Sequence, residues 1–188
     1  MSVSATLVTT EEVLAMPDAG AVRDLIRGEL REYPMTTRGG PHCIALANLA
    51  GLLRDWHRRQ PKPWGRIYAG DARLRIQRDP DTFLGADIAY LNAEQAARNP
   101  PTARFIDEPP LLAVEISSPS DTAEDIADKV REYLDAGVAL VWEVNPFFRT
   151  VTAHRPDARP ELFNDAQDLT AGPHLPDFRV PVAEVFED

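Results

Sequence analysis

Hydrophobic and polar positions change period several times along the 188-residue chain. Thr10-Glu11-Glu12-Val13 reads as a helix start, a Thr cap followed by acids in the first turn, and the helix stops near Pro17. Val22 to Pro34 alternates apolar and polar side chains around Gly28, which predicts a β-hairpin. Leu46, Leu49, Leu53 and Trp56 recur at helical spacing, so Pro41 to His57 is the first long helix, with Pro41 in its first turn. Ile67 to Gln77 and Leu84 to Leu91 read as strands separated by the turn Asp79-Pro80-Asp81. Asn92 to Arg98 is a short helix or loop, closed by Pro100-Pro101.

Leu111 to Ser117 is a strongly apolar strand, broken by Ser118-Pro119-Ser120-Asp121. Thr122 to Ala136 is the second long helix and ends at Gly137. Val138 to Asn145 is another apolar strand, ended by Pro146, and Phe147 to Ala153 with Glu161 to Phe163 reads as a β-ribbon. The tail reads as loop with a short helical end over Val182 to Phe186. The strand–helix–strand unit from Leu111 to Asn145 is a crossover, which requires a parallel pair. The expectation is an α/β, mixed α+β fold: one mixed sheet flanked by helices, with residues 1–188 forming a single domain.

Composition narrows the chemistry. Thirty acids against 20 basic residues give a net charge of −10, which argues against a non-specific nucleic-acid coat, since phosphate contacts need a basic footprint. The single cysteine, Cys43, excludes an intrachain disulfide and a cysteine-based zinc site. No stretch is apolar over the ~18 residues needed to span a bilayer, and the N-terminus lacks a signal-peptide pattern. A cytoplasmic protein is expected. Nearly all cationic positions are arginine; Lys62 and Lys129 are the lysines.

The candidate site rests on acids in apolar strands. Glu115 lies in Leu111-Leu112-Ala113-Val114-Glu115-Ile116-Ser117, on the face of the small residues Ala113 and Ser117. A buried carboxylate there needs a metal ion, a cationic side chain or hydrogen bonds. Asp87 lies in Gly85-Ala86-Asp87-Ile88-Ala89, again between small face neighbours. If the two strands are adjacent, both acids reach one hard divalent ion such as Mg²⁺. Lys129 borders the apolar stripe Ile126, Val130, Tyr133 and Leu134 of the helix that packs back on the Glu115 strand. Two acids, a lysine and a divalent ion suit phosphodiester hydrolysis; the plain alternative is a buried ion pair holding helix to sheet. Asp71 is the rival acid. Glu143, in Val141-Trp142-Glu143-Val144, is expected to pair with an arginine or lie near an interface. Arg54, Arg58 and Arg59, and Arg73, Arg75 and Arg78, read as solvated basic faces.

These residues resemble a known family. Leu112-Ala113-Val114-Glu115-Ile116-Ser117-Ser118-Pro119-Ser120-Asp121, then Lys129, Tyr133, Gly137-Val138 and Trp142 to Pro146, look like the Uma-two family of restriction-type endonucleases in the PD-(D/E)XK nuclease superfamily. Leu25-Ile26-Arg27-Gly28-Glu29, His42, Leu175-Pro176-Asp177-Phe178 and Glu184-Val185-Phe186 extend the likeness over about residues 20–187. The resemblance implies metal binding by Asp87, Glu115 and the carbonyl of Ile116, with Lys129 as the catalytic lysine and Glu29 and His42 as accessory residues. The superfamily lysine position, two after the second acid, is Ser117 here, so the lysine moves to the next helix. Ala86 replaces the proline that usually precedes the first acid. The implied activity is a Mg²⁺- or Mn²⁺-dependent endonuclease, with DNA the favoured substrate. The alternatives are a nuclease-fold binding or assembly module without turnover, and a hydrolase of small phosphate esters. Phe147-Phe148 is expected to help bury a homodimer surface.

Overall fold

A computed structural model describes residues 7–18, 20–35 and 38–188. Its helices are α1 (Thr10–Ala15), α2 (Gly40–Arg59), α3 (Ala93–Arg98) and α4 (Ala123–Asp135). Its strands are β1 (Ala21–Ile26), β2 (Glu29–Pro34), β3 (Arg66–Gln77), β4 (Thr82–Leu91), β5 (Leu112–Ile116), β6 (Leu140–Asn145), β7 (Thr150–His154), β8 (Glu161–Asn164), β9 (Asp168–Thr170) and β10 (Arg179–Pro181). The long helices, the hairpin and the crossover strands fall where the periodicity puts them. The tail differs: β9 and β10 pair into a small sheet of their own. Three-residue strands are too short for alternation to show.

Among the described residues, the main sheet has eight strands in the order β2-β1-β4-β5-β6-β7-β8, with β3 also on β4. The β5–β6 pair is parallel, as the α4 crossover requires, and the other pairs are antiparallel. α2 covers one face: Leu49, Leu53 and Trp56 pack on Ile88, Leu112, Val114, Ile116 and Trp142. Each such side chain contributes about 1.5–3 kcal/mol by leaving water. α4 covers the other face, where Ile126, Val130 and Tyr133 pack on Ala89, Ala113 and Val141. Alternation along β5 therefore sends Glu115 to the α4 side with Ala113.

β4 has three partners but only two edges. β3 runs along one edge from Gln77↔Thr82 to Arg66↔Leu91. β1 and β5 share the other, β1 at Leu25↔Phe83 and β5 from Ile88↔Val114 to Tyr90↔Leu112. Between Phe83 and Ile88 this edge is a fork with a gap. Opposite the gap, β3 carries a bulge at Gly70 (φ 93°) and Asp71 (φ 58°). Bulges of this kind re-aim side chains. The core reflects it: Leu84 and Ala86 join the same cluster as Ala89 and Leu91, so the alternation slips at Asp87.

Candidate active site

Asp87 turns its carboxylate into the gap. Oδ2 accepts the Ile116 N–H at 2.7 Å, which caps the end of β5. Oδ1 lies 3.3 Å from His42 Nε2, which comes from the first turn of α2. The β4–β5 register, continued by one residue from Ile88↔Val114, puts Glu115 opposite Asp87. Glu115 is buried. Its Oε2 accepts Lys129 Nζ at 3.0 Å and its Oε1 accepts the Tyr133 hydroxyl at 2.7 Å. Lys129 and Tyr133 are four apart on α4 and so share one helix face. The Gly85 carbonyl, inside the gap, lies 2.9 Å from the Tyr133 hydroxyl and 3.5 Å from Lys129 Nζ.

Burial pushes the Glu115 carboxyl up to about 7, against the opposing pull of Lys129 and with a further push from Asp87. Burial also works against the Asp87 charge, but His42, the Ile116 N–H and Arg38 outweigh it and hold that carboxyl below its ordinary value. Lys129 loses solvation too, yet Glu115, Asp24 and Asp87 keep its ammonium more strongly protonated than a free lysine. Burial and the Glu115 charge raise the Tyr133 phenol well above its ordinary value. The site therefore holds a fixed anion, a fixed cation and one carboxyl that changes charge near neutrality.

The sequence candidates separate on this frame. Asp87, Glu115, Lys129 and His42 come together. Ile116 also contributes its N–H, which Asp87 Oδ2 accepts. Glu29 does not join them: it is exposed at the start of β2, paired across the hairpin with Ile26. The acid that the hairpin does send inward is Asp24. It is buried, and its Oδ1 accepts Arg73 Nη1 at 2.9 Å. Asp24 shares a strand face with Val22 and Ile26, the same signal of an acid among apolar neighbours that marks Asp87. Tyr133 was legible as well, as the residue one turn after Lys129. The rival Asp71 stays exposed on the bulge, its carboxylate lying over Gly85.

Three other expectations change. Glu143 pairs with His154 of the neighbouring strand at 3.1 Å, not with an arginine. Arg75 is no solvated residue: its guanidinium is buried, bonded to Asp107 at 2.7 Å and Glu11 at 2.6 Å. Arg73 crosses β4 to reach Asp24, stacking 4.5 Å from the centre of the Phe83 ring.

The donor chemistry of the gap suits a hard dication, because Asp87 and Glu115 offer carboxylate oxygens. Mg²⁺ is commonly held by one or two carboxylates and keeps several waters. Among the described residues, no group of three or more His, Cys, Asp or Glu side chains converges in a metal-holding arrangement.

The family model for Uma2, described as putative restriction endonuclease, matches residues 10–183. The chain belongs to the Uma2 family. The match spans the hairpin, the fork and the α4 crossover, so it takes in every residue of the gap. A search of curated proteins finds no match. Among solved structures, this Uma2 chain is similar to a putative nuclease belonging to DUF820 from Anabaena variabilis ATCC 29413. The two share 18% identity with a TM-score of 0.76, over 95% of this chain and 97% of the other. At that identity the likeness establishes the fold of this Uma2 member. Both chains share this large mixed sheet flanked by helices. No helix among the described residues is long and apolar enough to cross a membrane.

Proposed function

We propose that this protein is a divalent-metal-dependent endonuclease that hydrolyses phosphodiester bonds, with DNA the favoured substrate. The observation that carries the reading is the Glu115–Lys129–Tyr133 cluster, buried at the mouth of the β4 fork beside Asp87. Asp87, Glu115 and the Ile116 carbonyl are the groups that would hold the ion. A bound dication supplies Lewis-acid polarisation of a phosphoryl oxygen and a more acidic water. Lys129 stays protonated and offsets the charge that develops on the phosphoryl group. Glu115, whose carboxyl burial pushes up to about 7 without metal, would be held ionised as a ligand of the ion. Asp87 remains ionised, and the Ile116 N–H fixes its orientation. His42 closes the α2 side of the gap.

The test is cleavage of single- and double-stranded DNA, with an RNA of the same sequence alongside, with and without Mg²⁺ or Mn²⁺. Glu115→Gln is expected to lower the metal-dependent rate by at least about 10²-fold, since loss of even an outer-shell partner of a metal costs about 10–100-fold. Equal rates in both proteins would remove Glu115 from the chemistry.

One observation favours the second reading, a nuclease-fold module that binds or assembles without turnover. Three of the four carboxylate oxygens already accept protein hydrogen bonds, Asp87 Oδ2 from Ile116 and the two Glu115 oxygens from Lys129 and Tyr133, while Asp87 Oδ1 faces His42 at 3.3 Å. Calorimetry with Mg²⁺ and Mn²⁺ separates the two. Binding that Glu115→Gln abolishes supports the enzyme, and no heat in either protein supports the module.

A further inference from the structure

The first turn of α2 reaches the same gap, and among the described residues the main-chain N–H groups of Gly40 and His42 have no partner, whereas that of Cys43 bonds the Gly39 carbonyl. Its N-cap, Gly39, makes no side-chain cap, Pro41 fills the first turn, and no acid stands there. A helix start of this kind leaves main-chain N–H groups open at the positive end of the helix dipole. His42 belongs to this turn and is 3% exposed. Among the described residues, neither of its ring nitrogens has a hydrogen-bond partner. Nε2 approaches Asp87 Oδ1 at 3.3 Å, off the line that a hydrogen bond needs. A buried imidazole with both nitrogens unsatisfied, aimed at the candidate centre, points to a group supplied from outside. Arg38, immediately before the cap, is exposed and joins no ion pair among the described residues. It does so in a chain with an excess of acids.

We propose that the open first turn of α2, the His42 ring and the Arg38 guanidinium seat one phosphodiester group of a nucleic-acid strand beside Asp87 and Glu115. The inference rests on the nuclease reading and assigns the part of that site that holds substrate. Open N–H groups at a helix start bind phosphate oxygens directly. A guanidinium adds a forked pair of charge-assisted bonds to the same group. An imidazole N–H supplies a further donor from the protein side. Together these place a local cationic rim on a molecule whose net charge of −10 otherwise repels a polyanion. Lys129 then faces the same phosphate from the α4 side of the fork.

The experiment uses the full chain without divalent metal, so that no cleavage enters the readout. The ring signals of its four histidines are followed by NMR. The probes are orthophosphate, a short single-stranded oligodeoxynucleotide, and the same oligonucleotide with neutral methylphosphonate linkages. The phosphodiester oligonucleotide is expected to move the His42 ring signals, and the methylphosphonate version to leave them in place. Arg38→Ala should weaken oligonucleotide binding about tenfold and reduce the slope of log affinity against log salt by about one contact. Arg38→Lys should recover part of both. Glu115→Gln, which tests the chemistry, should still bind and still shift His42. Unmoved His42 signals, an unchanged salt slope in Arg38→Ala, or a response to orthophosphate alone would each overturn the proposal. Loss of metal-dependent cleavage in a protein that passes this test would count against the nuclease reading only.

Discussion

The Tyr133 hydroxyl carries one hydrogen and faces two oxygens, Glu115 Oε1 at 2.7 Å and the Gly85 carbonyl at 2.9 Å. When Glu115 is ionised, the hydroxyl serves it. When Glu115 is protonated, the acid can donate to the tyrosine while the tyrosine donates to Gly85. Tyr133→Phe is therefore expected to push the Glu115 carboxyl further up, since a bond favouring its charged form is lost. Urea unfolding of the metal-free protein should show a loss of about 1 kcal/mol. Glu115 also gives stability a defined pH dependence. Its folded value is raised from 4.5 to about 7, so the native state holds the proton more tightly than the unfolded chain. Stability of the metal-free protein should therefore fall as pH rises between 4.5 and about 7, and Glu115→Gln should flatten that fall in thermal melts. Asp87, lowered from 3.8, acts with the opposite sign: it stabilises above that value, and its contribution is lost as pH drops below it.

At the level of elements, Gly85 leaves room beside the fork for two side chains of β3. Its register partner is Arg73. A Cβ there would run into Asp71 Oδ1 and lie 3.2 Å from Arg73 Nη1, the group that crosses the strand to Asp24. Gly85→Ala should displace both side chains and cost roughly 1–3 kcal/mol by urea unfolding, the usual range for overpacking. Periodicity revealed the two long helices because each buries a stripe, and it revealed β4 and β5 because both are covered on each face. Asp87 and Glu115 stood out for the same reason, as carboxylates inside those covered strands. The fork itself was not legible. One strand edge shared by β1 and β5 is a fact of pairing, and local alternation does not encode which strands meet. Asp24 was missed because four of the six β1 residues are only partly buried, so the strand carries no continuous apolar run against which an acid stands out. Arg75 was misread because its partners come from distant segments, Glu11 and Asp107, which no local window contains.

At the scale of the molecule, Phe147 and Phe148 stand 54% and 78% exposed beyond the end of β6. A homodimer that covers them is the expectation. Light scattering should then give about twice the chain mass of 20.9 kDa, and Phe148→Asp should return the mass of one chain. A mass of one chain for the unaltered protein would refute it.

The ion pair between Lys129 and Glu115, at 3.0 Å, means that the resting protein already occupies its anionic hollow with a tethered cation of its own. A soluble cation that displaced that tether would show an apparent affinity that is a difference between two pairings and not the strength of one. Lys129→Met should then bind Mg²⁺ more tightly than the unaltered protein at alkaline pH, while turning over substrate more slowly. A protein that is a poorer metal ligand and a better catalyst for keeping its lysine would have an internal competitor that guards the site until substrate draws the amine away.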